Sequence, residues 1–255
     1  MTPLRVMTVN LRYDNPTDGP NQWCFRKKSL ATLIEEINPD VFGSQEGWEE
    51  QLNELKTLLP QYKYYVSAPE WNRKRMFPCV WVREDINIRE SNTLWLSPTP
   101  VIPFSKVSGS IFPRSTTYVI AKKDNCPFLF VNTHLDLASE EVRLNQTIIL
   151  LREIEKINHK FYPVILVGDF NTTPTSPIYT VLTEKFIDVW KYLEAPEEDT
   201  FHGFTGKGMR GRIDWILVSS EVIIKKAKIL KQTPFSIYPS DHFPVYAVFI
   251  YEDNV

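Results

Sequence analysis

Nine short runs of this chain read as β-strands, and several follow one another with no helix between them. They are "LRVMTVNL", "DVFGSQE", "YKYYVS", "FPCVWVR", "TTYVIAKK", "CPFLFVNTHL", "YPVILVGDF", "RIDWILVS" and "FPVYAVFIY". Elsewhere the spacing predicts helices. "RKKSLATLIEEIN" carries Leu30, Leu33, Ile34 and Ile37 at helical intervals and stops at Asn38-Pro39. "WEEQLNELKTLLP" stops at Pro60. "SEEVRLNQTIILLREIEKIN" opens on the N-cap residue Ser139 with two acids behind it, and places Leu144, Ile148, Leu151 and Ile154 on one stripe. Some strands are thus separated by helices and others are not. The pattern dictates a mixed sheet, neither a βαβ repeat nor an all-β meander. No linker, low-complexity tract or internal repeat divides the chain, so residues 1–255 are expected to form one domain.

The most apolar run poses a question. From Pro163 to Val167 the chain is suited to a strand buried on both faces, yet it runs straight into Gly168, Asp169, Phe170 and Asn171. Other strands do the same. The first ends in Asn10 and the second in Gln45-Glu46. "CPFLFVNTHLD" carries Asn132, His134 and Asp136, Asp214 lies within an apolar run, and Asp241-His242 directly precede the last strand. Any one of these is explained by a turn, a cap or a solvated edge. Six placements, each touching a core strand, are not, because ionised groups beside a core are costly without partners.

Composition narrows the class. The chain is 43% hydrophobic and 24% charged, as ordinary globular proteins are, and 255 residues suffice for a substantial core. A net charge of −2 argues against a clamp for long nucleic acid and suits small or short phosphate-bearing substrates. Cys24, Cys79 and Cys126 are odd in number and far apart, which opposes a disulfide framework or a structural zinc site. No secretory signal pattern opens the chain and no apolar run nears the ~20 residues of a membrane span, so a cytoplasmic location is expected.

In this order, "VNLRYDN", "GSQEG", "NTHLD", "GDFNTTP", "RIDWILVS" and "SDHFPV" resemble the motif series of the endonuclease/exonuclease/phosphatase superfamily. That superfamily includes deoxyribonuclease I, exonuclease III-type repair nucleases, bacterial sphingomyelinases, inositol polyphosphate 5-phosphatases, and the nocturnin and carbon-catabolite-repressor deadenylases. The match runs from about residue 6 to residue 250, and "NLRYDNPTDGPNQWCFRK" most resembles bacterial members grouped beside the deadenylases. The resemblance implies an α/β (α+β) four-layer sandwich, two packed mixed β-sheets flanked by helices, as in deoxyribonuclease I. It also implies a phosphoester hydrolase using Mg²⁺, or alternatively Mn²⁺.

The resemblance carries roles onto residues. Glu46 is the expected principal metal ligand, with Asn10 beside it and Asp241 completing the site, a hard oxygen set suited to Mg²⁺. Asp169 would take a proton from the attacking water and Asn171 hold a phosphate oxygen. His134 and His242 would donate to the transition state, with Asp214 fixing the ring of His242. Arg114 and His202 are further candidates for phosphate contact, and Arg12 and Asp14 for support around the metal. The Gly-rich loop 200–212, with Lys207, Arg210 and Arg212, would close over substrate or stay solvated. Trp71 among Arg73, Lys74 and Arg75 would stack a base or simply face water. His159 is read as a surface residue, and Trp23, Trp81, Trp95, Trp190 and Trp215 as core.

The leading expectation is a phosphodiesterase or nuclease acting on short nucleic acid or a nucleotide-like diester. The alternative is a phosphatase of a small phosphomonoester such as an inositol or sugar phosphate. An inactive binding module is disfavoured because Glu46, His134, Asp169, Asn171, Asp214, Asp241 and His242 are all present. A lipid-directed sphingomyelinase would call for an exposed apolar hairpin and an export signal. No membrane association and no obligate protein partner are expected.

Overall fold

The structure, a computed structural model, describes residues 3–66 and 76–250. The stacking candidate Trp71 with Arg73, Lys74 and Arg75 lies outside the described residues. Among the described residues, twelve strands form two six-stranded sheets. The strands are β1 (Pro3–Asn10), β2 (Val41–Gly47), β3 (Tyr62–Tyr65), β4 (Phe77–Arg83), β5 (Asn87–Trp95), β6 (Ser115–Lys123), β7 (Cys126–His134), β8 (Val164–Asp169), β9 (Ile187–Asp188), β10 (Asp214–Val218), β11 (Ile223–Ile229) and β12 (Val245–Ile250). One sheet has the order β11-β12-β1-β2-β4-β3 and the other β5-β6-β7-β8-β10-β9.

Each sheet contains one parallel pair, β1 with β2 and β7 with β8, and every other pairing is antiparallel. A parallel pair requires a crossover, and the longest helices supply it: α1 (Trp23–Ile37) between β1 and β2, α3 (Glu140–Ile157) between β7 and β8. The shorter helices are α2 (Glu49–Leu58), α4 (Pro177–Thr183) and α5 (Val189–Tyr192). The predicted stops hold. Asn38 caps α1 in the left-handed conformation, and α2 closes at Leu59 just before Pro60.

Three apolar layers result. Val6, Val41, Val80, Phe130, Ile165, Val167, Ile216 and Phe249 fill the space between the sheets. Met7, Phe42, Leu30, Leu33, Ile34, Leu52 and Leu55 pack the first sheet against α1 and α2. Leu129, Val131, Leu166, Leu217, Leu150, Ile154, Ile178 and Leu182 pack the second against α3 and α4. The continuous apolar run of β8 is explained, because Ile165 and Val167 face the opposite sheet while Val164 and Leu166 face helices. The five tryptophans read as core are buried.

Two readings change. The stripe assigned to α3 holds at Leu144, Leu151 and Ile154, which pack against the core, but Ile148 is 43% exposed, and Gln146, Thr147, Ile149 and Leu150 are buried instead. Gln146 Oε1 accepts the backbone N–H of Asp136 at 2.9 Å, holding the segment after β7 to the helix. The strands β5 and β11 were also missed. Both are sheet edges with polar, partly exposed sequences ("NIRESNTLW", "IIKKAKI"), the usual protection of an edge against further pairing. Among the described residues no helix is long and apolar enough to cross a membrane.

Candidate active site

The two parallel pairs end at the same place, and their C-terminal ends carry the polar residues singled out above. Asn10 ends β1, Glu46 lies at the end of β2, His134 ends β7 and Asp169 ends β8. Register aligns His134 with Asp169 and Asp169 with Asp214 across β7, β8 and β10. Around them opens a cavity of about 340 Å³. Glu46, His134, Asp169, Asn171, Asp241 and His242 line it, together with Arg12, Asp18, Leu137, Phe201, Phe204 and Arg210.

Local backbone devices aim these groups. Glu46 sits where the β2–β4 register shifts between Ser44 and Gly47, with φ 62°, a conformation uncommon outside glycine. The bulge turns its carboxylate toward the cavity. Gly168 precedes Asp169 because β7 presses against it: a Cβ there would lie 2.1 Å from the Thr133 carbonyl oxygen. Arg26 was not foreseen. It is fully buried and donates to four backbone carbonyls, those of Leu11, Arg12, Asn21 and Pro239. It thereby ties the segment after Asn10 to the segment before Asp241. The available signal was positional, since Arg26 lies one helical repeat before Leu30 on the apolar stripe of α1. Thr200 was also unforeseen; its Oγ1 accepts from the N–H of Ile213 and Asp214, and its carbonyl from that of Phe243.

Asp169 is the hub. Its Oδ1 accepts the Asn171 N–H at 2.9 Å and its Oδ2 accepts Asn10 Nδ2 at 3.0 Å. The same Oδ2 lies 3.5 Å from His134 Nε2 and 3.9 Å from His242 Nε2. Burial, and then the nearby Asp214 charge, push its carboxyl up to about 7. His242 Nδ1 lies 2.9 Å from Asp214 Oδ2. Burial acts to lower the His242 pKa, but Asp214 outweighs it, with Asp169 and Asp241 adding, and the ring is pushed up to about 10. His134 moves the other way, well below the ordinary range, through burial, then Arg114, then His242.

Three of the expected residues make contacts within the protein. Asn10 Nδ2 donates to Glu46 and Asp169, and its Oδ1 accepts the Arg12 N–H at 2.8 Å. It braces Glu46. Arg114 is not among the cavity-lining residues but is turned onto His134, Nη1 to Nδ1 3.1 Å. His202 is buried behind the cavity, stacked on Phe243 at 3.9 Å, because its Nδ1 accepts the Gly206 N–H and anchors the loop.

The supporting candidates divide. Asp14 accepts the Trp23 N–H at the start of α1, a structural role. Arg12 reaches the cavity wall, paired with Asp18 at 2.8 Å and 3.8 Å from Asp241. In the Gly-rich loop, Arg210 lines the cavity, whereas Arg212 is buried in ion pairs with Asp188 and Glu197. His159 is exposed, as read.

Which residues can hold a divalent ion follows from donor chemistry. Asp169, Asp214 and His242 cluster with ligand atoms within 4.8 Å of one another, and the Asp214–His242 hydrogen bond already engages Nδ1 of that ring. Glu46 and Asp241 remain, two carboxylates facing one cavity, with Arg12 3.8 Å from Asp241. This is an oxygen-only set that fits a hard ion keeping part of its water shell.

A model of the Endonuclease/Exonuclease/phosphatase family matches residues 7–242. The chain belongs to this family. Protein angel homolog 2 of Homo sapiens is 27% identical over 176 residues, 64% of this chain and 31% of that protein, so the chain spans under a third of that relative. A probable CCR4-Not complex 3'-5'-exoribonuclease subunit Ccr4 from Vairimorpha ceranae (strain BRL01) is 27% identical, covering 89% of this chain and 57% of that protein. Among solved structures, a mannosyl-6-phosphatase of Bacteroides thetaiotaomicron VPI-5482 superposes with a TM-score of 0.89 at 29% identity, covering 97% of this chain and 100% of that one. Family members share the two-sheet sandwich found here, and the buried acid–histidine cluster is that of a metal-using phosphoester hydrolase family.

Proposed function

We propose that this family member is a Mg²⁺-dependent hydrolase of small phosphoesters, with a phosphorylated sugar or comparable phosphomonoester as substrate. The supporting observation is the cavity. At about 340 Å³ it matches one small ligand, and its wall sets Phe201, Phe204 and Leu137 beside Arg12 and Arg210. Apolar surface suits the face of a sugar, and the guanidinium groups suit its phosphate. Similarity to the mannosyl-6-phosphatase along the whole chain points the same way. This reverses the order in which the sequence alone ranked diester and monoester. The similarity to the exoribonuclease subunit supports the second reading, a phosphodiesterase acting on a short nucleic acid.

In either case Asp169, held by Asn10 and Asn171, takes the proton of the attacking water, and a carboxyl titrating near 7 suits a base at neutral pH. His134 and His242 present their Nε2 atoms beside it and stabilise the charge gathering on the phosphoryl oxygens. Asp214 holds the ring of His242. Glu46 and Asp241 would hold the divalent ion, Mg²⁺ or Mn²⁺, which when bound offsets negative charge on the phosphate.

A substrate panel tests the proposal. Mannose 6-phosphate, glucose 6-phosphate, p-nitrophenyl phosphate, its bis ester, oligo(A) RNA and single-stranded DNA are compared with Mg²⁺ and with chelator. Metal-dependent phosphate release from the sugar phosphates, well above cleavage of the diesters, supports it. Rapid cleavage of oligo(A) with inert monoesters replaces it with the second reading.

A further inference from the structure

Two histidines flank Asp169, and the groups behind them are opposite in charge. Behind His242 stands the Asp214 carboxylate, 2.9 Å from Nδ1. Behind His134 stands the Arg114 guanidinium, with Nη1 3.1 Å from Nδ1. Arg114 enters just before β6 and is 9% exposed. It lies over the Phe112 ring with Nε 3.8 Å from Asp136 Oδ2. Asp136 in turn accepts the N–H groups of Ile111, Phe112 and Ala138, so the guanidinium sits in a fixed bed.

A guanidinium has donors only and keeps its charge. Its hydrogen bond to His134 Nδ1 therefore requires a lone pair on that nitrogen. The single ring proton is then on Nε2, which faces Asp169 Oδ2 at 3.5 Å. A second proton would set an imidazolium N–H against a guanidinium N–H in a pocket where His134 is 4% exposed. Across the site, Asp214 demands the reverse at His242, an N–H on Nδ1.

We infer that Arg114 is a positioning residue for the hydrolytic reaction: it fixes His134 as a neutral imidazole carrying its proton on Nε2, opposite a His242 whose Nδ1 faces Asp214. The two rings are thereby held by partners of opposite sign. His134 supplies a hydrogen bond to phosphoryl oxygen without a charge that would neutralise Asp169. The groups facing the His134 ring are Arg114 before β6, Asp169 at the end of β8 and His242 before β12. Loss of Arg114 removes the cation among them and leaves Asp169 to draw a proton onto the ring, forming an ion pair that occupies the base.

The kinetic part of the test rests on the hydrolase reading; the spectroscopic part does not. Long-range ¹H–¹⁵N spectra of the intact protein give the protonation of each ring nitrogen. His134 is expected to show a protonated Nε2 and a bare Nδ1 from pH 5.5 to 9, while His242 shows Nδ1 protonated. Arg114→Leu should let His134 titrate in that range and lower kcat by about tenfold or more, worst on the acid side, with KM changed far less. Arg114→Lys, which keeps a cationic donor, should retain the bare Nδ1 and most of kcat. A wild-type His134 protonated on Nδ1 at neutral pH overturns the inference, even if Arg114→Leu fails to fold. An Arg114→Leu protein with the wild-type nitrogen pattern also overturns it. If no phosphoester is turned over, the spectra alone decide the tautomer and the proposed function fails separately.

Discussion

Arg26→Met replaces a buried guanidinium by an uncharged chain of similar length, and the structure sets the size of the effect. Arg26 donates to the carbonyls of Leu11, Arg12, Asn21 and Pro239. Arg12 keeps a second donor, Gln51 Nε2 at 3.1 Å, and Asn21 is only half-buried, so water can replace its bond. Leu11 and Pro239 are left with unpaired carbonyls. At ~2.5 kcal/mol for each bond to a charged donor, the loss is ~5 kcal/mol. Burial of the cation opposes this. It lowers the Arg26 pKa to about 10, a penalty of ~3 kcal/mol that methionine does not carry. The net destabilisation is ~2 kcal/mol, and for a chain of this size the melting temperature should fall by about 4–8 °C. Because the bonds join the segment carrying Asn10 to the one carrying Asp241, the Mg²⁺ needed for half-maximal activity should rise about tenfold. Calorimetry and a metal titration read both. A melting temperature within about 1 °C of wild type, with an unchanged titration, would show that Arg26 braces nothing.

The other predictions concern the cavity itself. Glu46→Gln should weaken activation by Mg²⁺ about tenfold or more while leaving the fold intact; an unchanged titration curve rejects Glu46 as a ligand. Asp169→Asn should retain Mg²⁺ binding and lose at least about 100-fold in kcat, and a fully active variant refutes its role as base. Asp214→Asn should cost less than His242→Ala, and the double variant no more than the worse single one, since the two act as a unit; additive losses break the pairing. His202 has its pKa lowered from 6.5 to about 4 by burial, with Asp241 opposing that shift and His242 adding to it. The unfolded chain takes up that proton first, so this group's contribution to stability is intact above pH 6.5 and is lost as pH falls toward 4. The melting temperature of wild type should therefore drop more between pH 7 and 4.5 than that of His202→Gln, and parallel curves would exclude His202 as a source of the acid sensitivity.

The legibility of this fold follows burial. β8 could be read from "PVILV" because both of its faces are covered, and α1 and α2 because proline or a left-handed asparagine ends them sharply. β5 and β11 could not, because an edge strand must be polar, and polarity is what makes a sequence look like a loop. The site divides along the same line. Residues that end central strands, such as Asn10, Glu46, His134 and Asp169, announce themselves by breaking an apolar pattern. Which atom each residue presents is a matter of three-dimensional neighbours. "FPRSTTYVI" gives no sign that Arg114 will meet His134 rather than phosphate, and "TFHGF" gives none that His202 will lie under Phe243.

The catalytic geometry therefore depends on how the two sheets are held in register. Glu46 and Asn10 come from one sheet, and His134, Asp169 and Asp214 from the other. Apolar packing between sheets is tolerant of small slides, since dispersion and burial are weakly directional. Hydrogen bonds are not, and the interface carries a polar bridge directly behind the site. Asn132 of β7 accepts from Gln45 Nε2 at 2.7 Å and donates to the carbonyls of Ser44 at 2.9 Å and Cys79 at 2.8 Å. Gln45 also donates to Thr8 of β1. One amide thus joins β7 to β2 and β4, immediately beside the bulge that presents Glu46. Gly43 makes the approach feasible, because a Cβ there would lie 2.6 Å from the Asn132 side chain. A polar group with no exposed surface costs stability unless all its partners are in place, so this bridge admits one relative position of the sheets. The carboxylate of Glu46 and the imidazole of His134 are held across the cavity by that constraint, where apolar contact alone would leave their separation free to vary.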